Sequence, residues 1–290
     1  MMRTKTIASP NVFDFIDVLV LHTPAAFAVA GSQAQLDAAI AEAFSRSDTA
    51  LANAAITSFI LRNASGANQS ALINRNESPP SPPDCTAPPG FCRWIGHRVF
   101  LRTDATVQAL RNSAGADLVV LVVADQTTAS GVAYVQKPDC GVEQNLESTP
   151  GCSVGVGYNG FAFAVVSLPF ITSFQVFAHE TGHQLGMEHD LAHGAPIPSF
   201  PWSYGWFVNG QNETVMSVAG AFGACTLGCP RALQYSNPNV FFLNSTAPSG
   251  TAGAFNARTA AALAPTVSEF RNPLLTGLIF RSGFEALPIP

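Results

Sequence analysis

The segment His179-Glu-Thr-Gly-His-Gln-Leu-Gly-Met-Glu-His-Asp190 holds three of the chain's six histidines. On a helix, His179 and His183 stand about one turn apart on one face, so two imidazole nitrogens can converge on a single ion while Glu180 lies beside them. Gly186 permits the sharp turn that ends such a helix, and His189 can then swing back as a third ligand. Three imidazoles leave the fourth tetrahedral position of a Zn2+ ion open for water, which separates a catalytic zinc from a closed structural one. The expected chemistry is hydrolysis: the bound water acidifies to a pKa of about 7 and Glu180, as general base, takes its proton. His193 is the one rival to His189 as third ligand. His22, placed at a strand end, and His97, placed in a loop, read as ordinary surface or hydrogen-bonded histidines. Asp190 reads either as a group orienting a neighbour of the site or as a cap for backbone amides after the turn.

Several elements must position these residues. Phe15 to Thr23 reads as a buried strand. Ser32 and Gln35 make a capping-box pattern, and Leu36, Ile40, Ala43, Phe44, Leu51 and Ala55 continue at helical spacing toward Leu61. Residues 77–91, with six prolines, read as an exposed excursion pinned by Cys85 and Cys92. Val99 to Arg102 is expected as a second strand, Asp104 to Arg111 as a short helix, and Asp117 to Val123 as the central strand. Phe161 to Leu168 is the next strand and delivers the chain to the motif helix. That helix is expected to begin near Thr172, where Thr172 and Gln175 repeat the capping-box spacing. Phe174, Phe177, Ala178, Thr181 and Leu185 would form its buried stripe, with the histidines on a different face. Strand–helix alternation over residues 15–186 predicts an α/β fold with a mixed, mostly parallel twisted sheet and a long active-site helix. After Asp190 the texture turns to Gly, Pro, Ser and Asn, an irregular C-terminal part that closes with a helix over Ala254 to Arg271, interrupted by Pro265.

The chain has 290 residues, 47% of them hydrophobic, enough for one large domain with a substantial core. Charged residues make up 11% and the net charge is −5, without a Lys/Arg cluster, so a nucleic-acid partner is not expected. Apolar runs such as Phe161 to Ile171 fall short of the roughly 20 residues a spanning helix needs, and no membrane association is expected. Asp17 and His22 interrupt the stretch from Phe15 to Ala30, which would have to serve as a signal-peptide core; a leader missing or removed is expected instead. Six cysteines form three sequence-local pairs, Cys85/Cys92, Cys140/Cys152 and Cys225/Cys229. Their Pro- and Gly-rich surroundings favour disulfides in an oxidising compartment over buried free thiols. Secretion, or residence in the periplasm, is the expected localisation.

The full pattern His-Glu-x-x-His-x-x-Gly-x-x-His from His179 to His189 resembles the signature of the metzincin clan of zinc endopeptidases. Glu213-Thr-Val-Met216-Ser217 is similar to the clan's methionine turn, which implies that Met216 supports the histidines from below without binding the metal. Within the clan the chain looks most like the reprolysin-type branch and its bacterial relatives, including peptidyl-Asp metallopeptidases. Asp17-Val-Leu-Val-Leu, Ala162-Phe-Ala-Val-Val, Asp190, Tyr235-Ser-Asn-Pro238, Asn256-Ala-Arg and Phe270-Arg271 carry that likeness, which spans roughly residues 15–271. Ser217 and Val218 follow the turn methionine, where astacin-like and serralysin-like members place a tyrosine, so no tyrosine ligand is assigned; Tyr204 reads as a packing residue.

The resemblance implies an N-terminal extension (1–14), a catalytic domain (15–271) and a C-terminal tail (272–290). The domain would divide into an upper subdomain at 15–186 and a lower one at 187–271. It implies a secreted zinc-dependent metalloendopeptidase, monomeric and acting on peptide or protein substrates, in which Glu180 activates the zinc-bound water. It also implies that a peptide substrate extends an edge strand of the sheet, for which Cys152 to Tyr158 is the candidate. The loop between Met216 and Pro238, held by Cys225 and Cys229, would wall the pocket for the residue after the scissile bond. A catalytically silent binding or adhesion module on the same frame, or a zinc hydrolase of small peptides, are the alternatives.

Overall fold

The computed structural model describes residues 14–78, 85–86, 89–125, 129–137, 141–142, 155–173, 175–195 and 197–271. The expected N-terminal extension other than Asp14, the tail, the Cys140/Cys152 pair and Phe174 lie outside them.

The apolar run at the start of the described chain forms strand β1, Asp14–His22, buried on both faces from Val18 onward. Thr23 caps a short helix, α1 (Pro24–Ala30), by accepting from Ala26 N–H, with Pro24 in the first helical position, where a missing N–H costs nothing. Gly31 ends it at φ 83°, a conformation that favours glycine. Ser32 then caps the long helix α2 (Gln33–Asn53), as its sequence pattern predicts, and Leu36, Ile40, Ala43, Phe44 and Leu51 face the core. The helix stops at Asn53 instead of running on to Leu61. Ala55 turns the chain at φ 56°, and Leu61 belongs to strand β2 (Phe59–Asn63). A two-residue strand β3, Ala71–Leu72, follows.

Helix α3 spans Pro89–Thr103. Val99 to Arg102, expected as a strand, is therefore the last part of a helix. Trp94, Ile95, Arg98 and Leu101, all buried, recur at helical spacing, and tertiary burial of that stripe overrides the β-preference of Val99 and Phe100. The same helix carries His97, which is buried, so the loop placement is also corrected. The Cys85–Cys92 disulfide ties the first turn of α3 to the segment before it. Asp104 caps α4 (Ala105–Ala114) by accepting from Thr106 and Val107 N–H, and Gly115 ends it in the left-handed region. Strand β4 (Leu118–Val123) is wholly buried. Strand β5 (Gly131–Ala133), the small hairpin β6 (Gln136–Lys137) with β7 (Gly141–Val142), and β8 (Phe163–Ser167) complete this half.

The main sheet runs β2-β1-β4-β8-β5, with β3 also paired to β1. Every pair is parallel except β5 on β8, where Gly131 faces Val166 and Ala133 faces Ala164. The expected mixed, mostly parallel α/β sheet is thus present, with one antiparallel strand at the edge. Central strands β4 and β8 are buried on both faces, which explains their unbroken apolar sequences. Residues Gly155–Gly160 form a short 3-10 helix, and 152–154 lie outside the described residues. Among the described residues the edge strand on this side is therefore β5, and the described part of the expected edge, Gly155 to Tyr158, is corrected: it lies in the 3-10 helix and not in the sheet.

Helix α5 covers Val176–Gln184 and starts four residues later than expected. Gln175 sits at φ 58° and makes no side-chain cap, so the Thr172/Gln175 spacing does not act as a capping box. All nine of its residues are buried, the histidine face included. Phe177 packs on Phe44 of α2 with ring centroids 4.8 Å apart, and Tyr235 donates its hydroxyl to the Ala178 carbonyl. Beyond it lie β9 (Glu188–Asp190) paired with β10 (Tyr204–Gly205), the hairpin β11 (Phe207–Val208) with β12 (Asn212–Glu213), and helix α6 (Asn256–Val267). Pro265 lies in the last turn of α6, and the helix ends two residues later. A second disulfide joins Cys225 and Cys229. Among the described residues no helix is long and apolar enough to cross a membrane.

Candidate active site

Helix α5 presents His179 and His183 to one side, and the turn after it returns the chain. Gly186, at φ 79°, supplies that turn, with its N–H bonded to the His183 carbonyl at 2.9 Å and Met187 N–H to the Gly182 carbonyl at 3.0 Å. Strand β9 then carries His189 back over the helix. Its Nε2 lies 3.0 Å from His179 Nε2 and 3.1 Å from His183 Nε2. His193, the rival third ligand, is not in this group.

Each ring is oriented through its other nitrogen. His179 Nδ1 lies 2.8 Å from the Val215 carbonyl, His183 Nδ1 2.8 Å from the Met187 carbonyl, and His189 Nδ1 3.4 Å from the His193 carbonyl. A carbonyl can only accept, so each Nδ1 carries the proton and each Nε2 turns an unprotonated lone pair inward. Three lone pairs about 3 Å apart repel unless a cation sits among them, and tetrahedral Zn–N bonds would put such nitrogens roughly 3.3 Å apart. The donor set fits zinc. Burial and the neighbouring His183 and His189 rings hold the His179 imidazole well below its ordinary pKa, and burial pushes His189 down to about 4. Both rings therefore stay neutral and able to coordinate well into the acid range.

Glu180 is 5% exposed, and its Oε2 has no hydrogen-bond partner among the described residues. Burial pushes its carboxyl up to about 8, against the opposing pull of the Arg98 guanidinium. An unpartnered buried carboxylate oxygen beside three converging imidazoles is a group held ready for something not supplied by the fold itself.

Met216 lies beneath the helix. A Cβ added at Gly182 would come within 2.5 Å of Met216 Sδ, so any side chain there would force the methionine to move. The Thr214–Ser217 turn, closed by Ser217 N–H to the Thr214 carbonyl at 3.0 Å, also brings the Val215 carbonyl to His179. Asp190 performs both roles read from the sequence. Its Oδ1 accepts from Ala192 N–H at 3.1 Å and pairs with His193 Nδ1 at 2.8 Å, while its Oδ2 accepts from Ser217 Oγ at 3.1 Å and Val218 N–H at 3.0 Å. Burial works to raise the Asp190 carboxyl, but Val218 N–H, His193 and Ser217 together hold it below its ordinary value.

The histidines and Glu180 line a cleft of about 710 Å³. Edge strand β5 and its approach, residues 129–133, Phe91, Ile95 and Arg98 of α3, and Val218, Ala221, Phe222 and Arg231 of the C-terminal half also line it. Arg98 donates to the Ala133 carbonyl at 2.7 Å, and Arg231 bridges Glu213 Oε1 at 3.0 Å and the Ser217 carbonyl at 2.6 Å. Neither arginine is singled out by sequence, since each reaches the cleft from an element remote from the motif; the helical spacing of Trp94, Arg98 and Leu101 is the signal that could have found the first. Tyr204 donates its hydroxyl to the Ala195 carbonyl at 3.1 Å and is not among the residues lining the cleft. His22 is buried against Ser70 Oγ at 2.9 Å.

An α/β sheet with a buried helix that bears such a trio of imidazoles, backed by a methionine turn, is the arrangement that the resemblance to the metzincin clan implies. The chain belongs to metallo-peptidase family M12, whose model matches residues 16–224. Members of that family are zinc-dependent. A peptidyl-Asp metalloendopeptidase from Stenotrophomonas maltophilia is 28% identical over 167 residues, which are 57% of this chain and 34% of that protein. Another peptidyl-Asp metalloendopeptidase, from Xanthomonas campestris, is 33% identical over 99 residues, 34% of this chain and 22% of that protein. The chain thus spans about a third or less of these relatives. A solved chaperone–substrate complex shares the fold, with a TM-score of 0.60 at 15% identity over 89% of this chain and 39% of that one.

Proposed function

We propose that this chain is the catalytic part of a secreted zinc metalloendopeptidase, with His179, His183 and His189 as the metal ligands and Glu180 as the general base. The observation that carries the reading is the inward convergence of three Nε2 lone pairs beside a buried carboxylate with an unpartnered oxygen. Zinc, when bound, supplies Lewis acidity toward water and toward the scissile carbonyl. Glu180 takes the proton of the attacking water and returns it to the departing amine. Strand β5 binds the peptide backbone by adding it as a further strand at the sheet edge, which holds the scissile bond over the histidines. In this reading residues 15–186 form the upper subdomain, 187–271 the lower, and the cleft runs between them.

The relatives are peptidyl-Asp endopeptidases, and the wall beyond the histidines carries Arg231. A substrate carboxylate next to the scissile bond would meet its guanidinium there, so we assign a preference for acidic residues at that position. Two disulfides in the described residues favour an oxidising, extracellular setting. The test is Glu180→Gln, assayed on casein and a denatured protein mixture with cleavage-site mapping, with and without chelator. Proteolysis should disappear while one zinc per chain is retained. Full activity in that variant, or cleavage indifferent to chelation, would sink the proposal. Turnover confined to small peptides would favour the narrower hydrolase, and zinc binding without turnover on any peptide the silent module.

A further inference from the structure

We infer that Gly131 is a positioning residue for the Glu180 carboxylate: the edge strand carries no side chain at this point, and the carboxylate occupies the volume left. The inference rests on the reading of Glu180 as the general base.

A Cβ added at Gly131 would lie 2.5 Å from Glu180 Oε1, 2.7 Å from Glu180 Cγ and 2.7 Å from Val176 Cγ1. Gly131 is not among the residues of positive φ, so conformational freedom does not explain the glycine; space does. Turning the carboxylate alone gives no relief, because Cγ is as close as the oxygen. The strand cannot easily back away either. Gly131 pairs with Val166 in the sheet, and Ser130 next to it accepts from Ser167 N–H at 2.8 Å. Val176 opens helix α5 and is itself buried. Of the three parties, the Glu180 side chain has the most rotational freedom, so it is the one an added methyl group displaces.

Strand β5 thereby has two tasks. In the reading above it offers its edge, unpaired among the described residues, to the peptide, and through a missing side chain it fixes the base relative to that same edge. Base and substrate backbone are then referenced to a single rigid element, which is how reacting groups are kept within a fraction of an ångström of each other. A displacement of the base by about 1 Å costs on the order of 100-fold in rate.

The test is Gly131→Ala in the zinc-loaded full chain, measured on a fluorogenic peptide together with zinc content and the crystal structure of the variant. The expected result is a fall in kcat of about 10- to 100-fold with KM changed less than about threefold. Zinc stoichiometry should be unchanged and the Glu180 carboxylate visibly displaced. Adding Val176→Ala, which opens room for the new methyl group, should recover at least about fivefold of the lost kcat. The inference is overturned if Gly131→Ala keeps kcat within about twofold, if the whole loss lies in KM, or if the double variant recovers nothing. Should Gly131→Ala not fold, the double variant carries the test through its carboxylate position and its kcat relative to Val176→Ala. An active Glu180→Gln removes the underlying reading of the base, whereas an inactive Glu180→Gln with a fully active Gly131→Ala overturns only the role of Gly131.

Discussion

Replacing Asp190 by alanine should loosen the joint between the third histidine and the methionine turn, and the size of the effect can be worked from the four bonds this carboxylate accepts. The bond to His193 reaches a ring that is 21% exposed, and the bond to Ala192 N–H closes a local turn, so water can replace much of either. The bonds to Ser217 Oγ and Val218 N–H, at 3.1 and 3.0 Å, are different: they cross 27 and 28 residues and Ser217 is fully buried. A hydrogen bond to a charged acceptor contributes about 1.5 to 3 kcal/mol, so losing this pair should cost about 4 kcal/mol. Asp190→Asn keeps one acceptor oxygen but turns an amide N–H2 toward one set of donors, and about half that loss is expected. Guanidinium unfolding at neutral pH would measure both variants, once with chelator present and once at a fixed excess of free zinc, because bound metal adds its own stabilisation to the native state. Zinc affinity should fall about 10- to 100-fold in the alanine variant, as when an outer partner of a ligand is removed. A loss below about 1 kcal/mol in the zinc-free protein would show that the carboxylate does not couple the two segments.

Three further outcomes are expected. Gly182→Ala should destabilise the chain by about 1 to 3 kcal/mol and weaken zinc binding, since its methyl group meets the buried Met216 Sδ and forces that side chain to move; differential scanning calorimetry and metal titration read both, and an unchanged melting temperature would contradict the packing described. His97 is pushed down to about 4, first by burial and then by Arg75. Its neutral form is the native one, so the unfolded chain takes up a proton first as pH falls, and stability present above about 6.5 should decline by about 3 kcal/mol on the way to pH 4. A His97→Gln variant that shows the same decline would rule this histidine out as its source. Arg231→Gln should reduce the preference for an acidic residue beyond the scissile bond by at least about tenfold in kcat/KM relative to a neutral peptide; an unaltered ratio would place acid recognition elsewhere.

The site was more legible in the sequence than the scaffold around it. His179, Glu180, His183, Gly186 and His189 lie within one continuous segment, so local geometry alone brings them together. Strands β1 and β4 were readable because they are buried on both faces and leave unbroken apolar runs. Strand β2 was not: Leu51 and Ala55 sustain a helical rhythm up to Leu61, and the turn that breaks it uses Ala55 in the left-handed region, where neither glycine nor proline marks the stop. Helix α3 was misread because Val99 and Phe100 favour strands in isolation, while the stripe that makes it a helix, Trp94, Arg98 and Leu101, includes a buried arginine that pattern reading counts as polar. The edge strand β5 has only three residues, too few for alternation to register. Gly131, Arg98 and Arg231 enter the cleft through long-range packing, which spacing within one segment does not encode.

Main-chain oxygens, at Met187, His193 and Val215, steer all three imidazoles. Every amino acid supplies that same acceptor, so the aim of the rings does not depend on which side chains occupy those three positions. Mutational drift at 187, 193 and 215 can therefore proceed with the metal cage intact, provided the path of the backbone survives.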